Sequence, residues 1–120
     1  MSVLVVDDDV GMVETLTDIL AACRYHVITA HSGEAALGLL GQSACDVVLM
    51  DIQMPGLNGV ETLRAMKART PQLNVIMMTA FTRHDLVDEA RRADALAVLP
   101  KPLDIEEMLA LVGRATGPRL

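Results

Sequence analysis

Short apolar runs alternate with segments of helical periodicity five times along the chain. The apolar runs are rich in β-branched residues and predict strands over residues 2–6, 25–30, 46–50, 73–78 and 95–99. The third and fourth runs are almost wholly apolar, which is typical of strands that are buried on both faces. After the first run, Val13, Leu16 and Leu20 recur at helical spacing, so a helix is expected there.

The remaining periodic segments predict four more helices, over residues 33–40, 58–68, 82–92 and 104–115. Two of these starts have the spacing of a capping box, Thr82 with Asp85 and Asp104 with Glu107. Because strands and helices alternate and the strands look buried, we expect an α/β fold, a doubly wound parallel sheet of five strands with helices on both faces.

Composition narrows the class of protein. The chain has 120 residues, enough for one domain, and 52% of them are hydrophobic, although it has one Phe, one Tyr and no Trp. No apolar run approaches the roughly 20 residues that a membrane span needs. The net charge of −6, without a basic run, argues against direct nucleic-acid contact by this domain. Cys23 and Cys45 lie in apolar segments and are predicted to be reduced core thiols of a cytoplasmic protein.

Polar residues interrupt this scaffold where strands end. They are Asp7, Asp8 and Asp9 after the first strand, Asp51 after the third, Thr79 at the end of the fourth and Lys101 just past the fifth. In an open parallel sheet these carboxyl ends share one edge, where ligands bind. Asp9 directly precedes a helix and is interpreted as its N-cap. The three histidines show no metal-ligand spacing and are not predicted to be site ligands.

The residue types at this edge indicate phosphoryl chemistry. Ionised carboxylates that lie close together repel one another unless a bound cation neutralises their charge. Carboxylate oxygens are also ligands that suit Mg²⁺. A carboxylate that attacks a phosphoryl group forms an acyl phosphate, and cations must neutralise the phosphoryl oxygens. Lys101 could supply such a charge and Thr79 a hydroxyl. Either residue alone would be an ordinary strand-end threonine or surface lysine, so the prediction depends on their convergence.

Four segments, residues 3–9, 46–59, 78–80 and 99–102, together resemble the response-regulator receiver family. The resemblance covers essentially the whole chain, in order and at the family's spacing. It implies a flavodoxin-like sheet in strand order 2-1-3-4-5 with five helices. It also implies a receiver domain over residues 1–116, with residues 117–120 as a tail or the start of a linker.

The resemblance also implies a role for each site residue. Asp51 would accept a phosphoryl group from a sensor histidine kinase. Mg²⁺ would be held directly by Asp8, Asp51 and the backbone carbonyl of Gln53, and by Asp7 through water. Lys101 would pair with the phosphoryl oxygens, Thr79 would move towards them after phosphorylation, and N–H groups near Gln53 and Ala80 would complete the cradle. Such a domain is mainly a signalling switch that promotes its own phosphorylation and slow dephosphorylation, and it controls an output domain or a downstream protein.

The output side departs from the family pattern. Val98 stands where the family often has a Tyr or Phe that acts as a rotamer switch, so that mechanism is not assigned here. Phe81 is the aromatic residue nearest Thr79, and two interpretations stay open: it limits water access to the acyl phosphate, or it is simply a loop residue. The helix over residues 82–92 has a narrow apolar face. Residues 82–115 are therefore the predicted output surface, and a possible homodimer surface.

Two alternatives belong to other classes. Residues 3–10 also resemble the apolar strand and Asp-x-Asp start of the haloacid-dehalogenase phosphatase signature, with Asp7 as nucleophile and Asp9 as acid and base. That interpretation leaves Asp51 without a role. The other alternative is a pseudo-receiver, a binding module that no longer accepts phosphate, and the complete set of site residues argues against it.

Overall fold

The computed structural model describes residues 1–42, 44–56, 58–80 and 84–116. Strands and helices alternate throughout, and the predicted elements are present to within two residues at each end where they are described. In chain order they are β1 (Ser2–Val6), α1 (Val10–Ala22), β2 (His26–Ala30), α2 (Gly33–Leu40), β3 (Val47–Asp51), α3 (Gly59–Arg69), β4 (Asn74–Thr79), α4 (His84–Arg92), β5 (Ala97–Pro100) and α5 (Ile105–Ala115).

The five strands form one parallel sheet in the order β2-β1-β3-β4-β5, which confirms the predicted fold. Every residue of β3 is buried, and so is every residue of β4 after Asn74, as their apolar sequences predicted. β1 pairs with both β2 and β3, so the strand order reverses at the β1–β3 neighbours. In doubly wound sheets that reversal opens a crevice at the carboxyl ends of the strands.

Two hydrophobic cores lie on opposite faces of the sheet. Successive strand residues point to opposite faces, so Val47 and Leu49 pack on one side and Val48 and Met50 on the other. Helices α1 and α5 cover the first face, while α2, α3 and α4 cover the second. With so few aromatic residues, methionine fills much of the interior: the fully buried ones are Met50, Met66, Met77, Met78 and Met108.

Several predictions need correction or fall outside the described residues. Cys23 is exposed at the C-cap of α1, so the core-thiol prediction is wrong for it, whereas Cys45 is half-buried against the core under α2 and α3. Asp51 is the last residue of β3 and does not follow it. Phe81, the Thr82 cap and residues 117–120 lie outside the described residues. Within the described ranges, no helix has the length and apolar character needed to cross a membrane.

Candidate functional site

Strand register brings the polar strand ends together. Val6 of β1 is the partner of Met50 in β3, so the next residues, Asp7 and Asp51, are neighbours across the β1–β3 crevice. Farther along the sheet, β4 pairs with β5, and Thr79 at the end of β4 is the partner of Pro100, the residue before Lys101. The alignment of neighbouring strands, each ending at the same level, therefore creates the polar edge.

One lysine bridges two buried carboxylates at this edge. Lys101 Nζ donates to Asp7 Oδ2 at 2.8 Å and to Asp51 Oδ2 at 3.3 Å. One carboxylate oxygen from each of Asp7, Asp8 and Asp51 lies within 4.8 Å of the others. Asp7 is fully buried and Asp51 is 7% exposed, whereas Asp8 faces solvent. The sequence predicted that these residues share an edge, but it did not predict that Lys101 pairs with Asp7.

The Asp7 side chain has a partner on each of its two oxygens. Its Oδ2 accepts from Lys101, and its Oδ1 accepts the backbone N–H of Asp9 at 3.0 Å. The Asp9 carboxylate in turn accepts the N–H of Met12 at 3.2 Å, which confirms its predicted role as the N-cap of α1. Because the Asp9 carboxylate caps α1, its place in the structure gives no support to the acid and base role of a dehalogenase-type phosphatase, and that interpretation leaves Asp51 in the cluster without a role.

The connection from β3 to α3 holds Asp51 in place. The backbone N–H of Gln53 donates to Asp51 Oδ1 at 3.2 Å. The N–H of Gly59 donates to the Ile52 carbonyl at 2.7 Å, and a Cβ on Gly59 would lie 2.7 Å from Ile52 Cα, so only glycine fits this close approach. Asn58 and Glu61 form a reciprocal capping box that starts α3. Sequence reasoning missed this box, although its Asn-x-x-Glu spacing is visible in the chain.

The β5 end places Lys101, Thr79 and Ala80. The N–H of Lys101 donates to the Thr79 carbonyl at 2.8 Å, and the Lys101–Pro102 peptide bond is cis. The Lys101 side chain is 15% exposed, which leaves its ammonium between the carboxylates. Ala80 is exposed at the bend after β4. Val98 lies on β5 beside Met77 and packs, partly buried, against the α2–α4 core.

The electrostatics of the edge favour an added cation. Burial raises the pKa of Asp51, and the neighbouring Asp7 charge raises it further, while Lys101 and the Gln53 N–H act in the opposite direction. Burial alone would lower the pKa of Lys101, but its hydrogen bond to Asp7 and the two carboxylate charges outweigh burial and raise it. Among the described residues, the Lys101 ammonium pairs with two members of the three-carboxylate cluster, and a divalent cation would relieve the remaining repulsion.

A doubly wound sheet with this acidic carboxyl edge defines the receiver class of α/β domain. A family model described as "Response regulator receiver domain" matches residues 3–113. The chain therefore belongs to the response regulator receiver domain family, whose members act in two-component signalling.

Individual relatives agree with the family assignment. The chain is 42% identical over 113 residues to the DNA-binding transcriptional regulator NtrC of Salmonella typhimurium, covering 94% of this chain and 24% of the relative. It is 36% identical over 115 residues to the transcriptional regulatory protein ZraR of the same organism, covering 96% of this chain and 26% of the relative. The chain thus spans about a quarter of the length of these relatives.

Among solved structures, the response regulator TrrA of Thermotoga maritima, in complex with Mg²⁺-BeF, superimposes with a TM-score of 0.86 at 30% identity. The match covers 95% of this chain and 97% of that one. The likeness therefore extends over nearly the whole fold.

Proposed function

We propose that this domain is a phosphorylation switch in which Asp51 accepts a phosphoryl group from the phosphohistidine of a sensor histidine kinase, with Mg²⁺ as cofactor. The observation that carries the proposal is the cluster of three carboxylates within 4.8 Å, with the Lys101 ammonium 3.3 Å from Asp51. Residues 1–116 form the receiver domain in this proposal, and we place its action in the cytoplasm.

The described residues fit a magnesium ion. Asp8, Asp51 and the backbone carbonyl of Gln53 would hold it directly, and Asp7 would hold it through water. These ligands are oxygen atoms, and the site is open to solvent at Asp8. Both features match the preference of Mg²⁺ for a few carboxylates plus waters. When bound, Mg²⁺ supplies positive charge that neutralises the phosphoryl oxygens.

The chain's own residues provide the rest of the chemistry. A carboxylate oxygen of Asp51 forms a bond to phosphorus while the phosphorus–nitrogen bond of the donor breaks, and the electron pair returns to the imidazole nitrogen. Lys101 offsets the charge of the phosphoryl oxygens, and the Thr79 hydroxyl and the N–H groups near Gln53 and Ala80 donate to them. The product is an aspartyl phosphate that Asp51 carries until water removes the phosphoryl group.

The readout is proposed to pass through residues 82–115. Of the described side chains of α4, Ala90 is buried and Leu86 and Val87 are partly buried against the core. So few contacts let α4 shift at low cost when the phosphoryl group favours one of two conformations. This surface would then control an output domain or a downstream protein, or pair with a second copy. NtrC and ZraR carry the word "regulator" or "regulatory" in their names, which supports an output of this kind.

Phosphorylation of the full chain by a small phosphodonor tests the proposal. The protein is incubated with acetyl phosphate and MgCl₂, and intact mass spectrometry is expected to show one phosphoryl adduct, which peptide mapping assigns to Asp51. Asp51→Asn and an EDTA sample should both lack the adduct. Asp18→Asn, a change to an exposed carboxylate on α1, is the matched control and should keep it. An adduct at Asp7, or no adduct at all, would contradict the proposal.

A further inference from the structure

His31, the residue that directly follows β2, contacts the backbone of the acidic edge. Its Nδ1 lies 3.2 Å from the backbone carbonyl oxygen of Asp7, which is 24 residues away in the chain. A carbonyl oxygen only accepts hydrogen bonds, so Nδ1 carries the proton in this contact. The residue itself is exposed, and the hydrogen bond is partly buried.

The backbone on both sides of His31 is fixed. The preceding residue, Ala30, is the β2 partner of Val6, and its carbonyl accepts the N–H of Asp7 at 3.2 Å. The following residue, Ser32, caps α2 by accepting the N–H of Ala35 at 3.1 Å. The imidazole is therefore presented by a short connection whose backbone is anchored on one side by β2 and on the other by the cap of α2.

Together these contacts hold the Asp7 main chain from both ends. Ala30 binds its N–H and His31 binds its carbonyl. That carbonyl belongs to the peptide group that links Asp7 to Asp8, so its orientation limits where the Asp8 carboxylate can point. Asp8 is the exposed member of the three-carboxylate cluster, and within the described part of the chain no hydrogen bond holds its side chain.

We propose that His31 is a positioning residue for the cation site: by holding the Asp7–Asp8 peptide, it keeps the Asp8 carboxylate facing Asp7 and Asp51. The inference rests on the proposed Mg²⁺ site and assigns no ligand role to the imidazole. Partners that orient metal ligands commonly matter for affinity, although they never touch the ion.

Three variants separate this role from simple structural support. His31→Leu removes the donor at similar size, whereas His31→Asn keeps an N–H donor close to the position of Nδ1. His26→Leu is the matched control, because it makes the same change at the exposed first residue of β2, at the end of that strand away from the site, whereas His31 directly follows the other end. His31→Ala provides a second donor-free variant if the leucine perturbs folding.

The first measurement uses Mg²⁺ alone, without phosphodonor. Urea unfolding of the full chain at increasing MgCl₂ gives the apparent Mg²⁺ affinity through the stabilisation that binding produces. We expect His31→Leu to need about five-fold more Mg²⁺, the equilibrium effect of one net hydrogen bond. His31→Asn should stay within about two-fold of wild type, and His26→Leu should not differ from it.

The second measurement is the rate of adduct formation with acetyl phosphate as a function of Mg²⁺. The half-saturating Mg²⁺ concentration should rise in His31→Leu, while the maximal rate at saturating Mg²⁺ stays at the wild-type value. This split is not expected from general destabilisation, which metal-free unfolding reports separately.

Two results would overturn the inference. One is an unchanged Mg²⁺ affinity in His31→Leu and His31→Ala, including the case in which both lose only metal-free stability. The other is a His31→Asn variant as weak as His31→Leu. Failure of the phosphoacceptor proposal looks different: Asp51 would gain no adduct, yet the Mg²⁺ affinity would still depend on residue 31.

Discussion

Helices α3 and α4 cover the same face of the sheet, but they are attached to it very differently. α3 buries Gly59, Val60, Thr62, Leu63 and Met66, and its first residue packs against the end of β3. Of the described side chains of α4, only Ala90 is fully buried. The helix that follows the proposed acceptor strand is thus fixed, whereas α4, which belongs to the proposed output surface, is weakly held.

The links between the two helices add little to this attachment. Arg64 of α3 and Glu89 of α4 approach to 3.9 Å, and Lys67 of α3 approaches Asp94, two residues past the end of α4, to 3.5 Å. At least one partner of each pair is largely solvent-exposed. Pairs of this kind typically contribute under about 1 kcal/mol. The comparison teaches that helices on one face of a sheet can differ in how firmly they are held. α3, beside the proposed phosphoacceptor, is rigidly packed, whereas α4 buries little and can be displaced.

The largest expected effect contrasts two leucines. Leu63→Ala in α3 should lower the free energy of unfolding by about 3 kcal/mol, because the side chain is fully buried and leaves a cavity. Leu86→Ala in α4 should cost only about 1 kcal/mol, since that side chain is partly exposed. Urea unfolding measures both. Equal losses would remove the basis for treating α4 as the weakly held helix.

A smaller effect is expected at the start of α3. Gly59→Ala should destabilise the protein by about 2 kcal/mol, because the new Cβ meets the Ile52 backbone and the helix or strand must move. Gly38→Ala in α2 is the control: nothing lies within 4 Å of its Cβ position, and the substitution should be neutral or stabilising by up to about 1 kcal/mol. Thermal and urea unfolding distinguish the two, and a tolerated Gly59→Ala would argue against a rigid connection.

The smallest expected effect is a gain in stability from Asp51→Asn in metal-free buffer. The pKa of Asp51 is raised by burial and by Asp7, so its ionisation disfavours the folded state. The unfolded carboxyl ionises first, near its ordinary pKa of 3.8, and wild-type stability should fall as pH rises from there through the higher folded pKa. Asp51→Asn lacks that fall and should be more stable at neutral pH, by less than the losses predicted for Leu63→Ala and Gly59→Ala.

Unfolding curves across pH, with and without MgCl₂, test this expectation. Added Mg²⁺ should stabilise the wild type and leave Asp51→Asn nearly unchanged. A wild type that is more stable than Asp51→Asn at neutral pH without metal would show that Lys101 already compensates the carboxylate charges in full.

The polar edge was predictable because it depends on strand ends alone. Once the apolar runs were identified as parallel strands, the residues that follow them had to meet at one edge, and Asp7 and Asp51 do so. The capping of α1 by Asp9 was predictable for a similar reason, since it involves residues only three positions apart.

The contacts that were missed join distant parts of the chain. Neither the Lys101–Asp7 bridge nor the His31–Asp7 hydrogen bond leaves a local pattern, because their partners are 94 and 24 residues apart. The exposure of Cys23 was missed because an apolar neighbourhood in sequence does not show that α1 ends there. The Asn58–Glu61 capping box was local and was simply overlooked.

By itself, the sequence determined the alternation of elements, the class of fold and the acidic edge, because hydrophobic periodicity and strand ends are local properties of the chain. Only the tertiary structure decided which side chains and backbone groups of that edge contact one another. In the folded protein Asp7 is buried and forms an ion pair with Lys101. Burial also raises the pKa of Asp51. The unequal burial of α3 and α4 was likewise decided by packing, since it depends on what each helix faces once the sheet has formed.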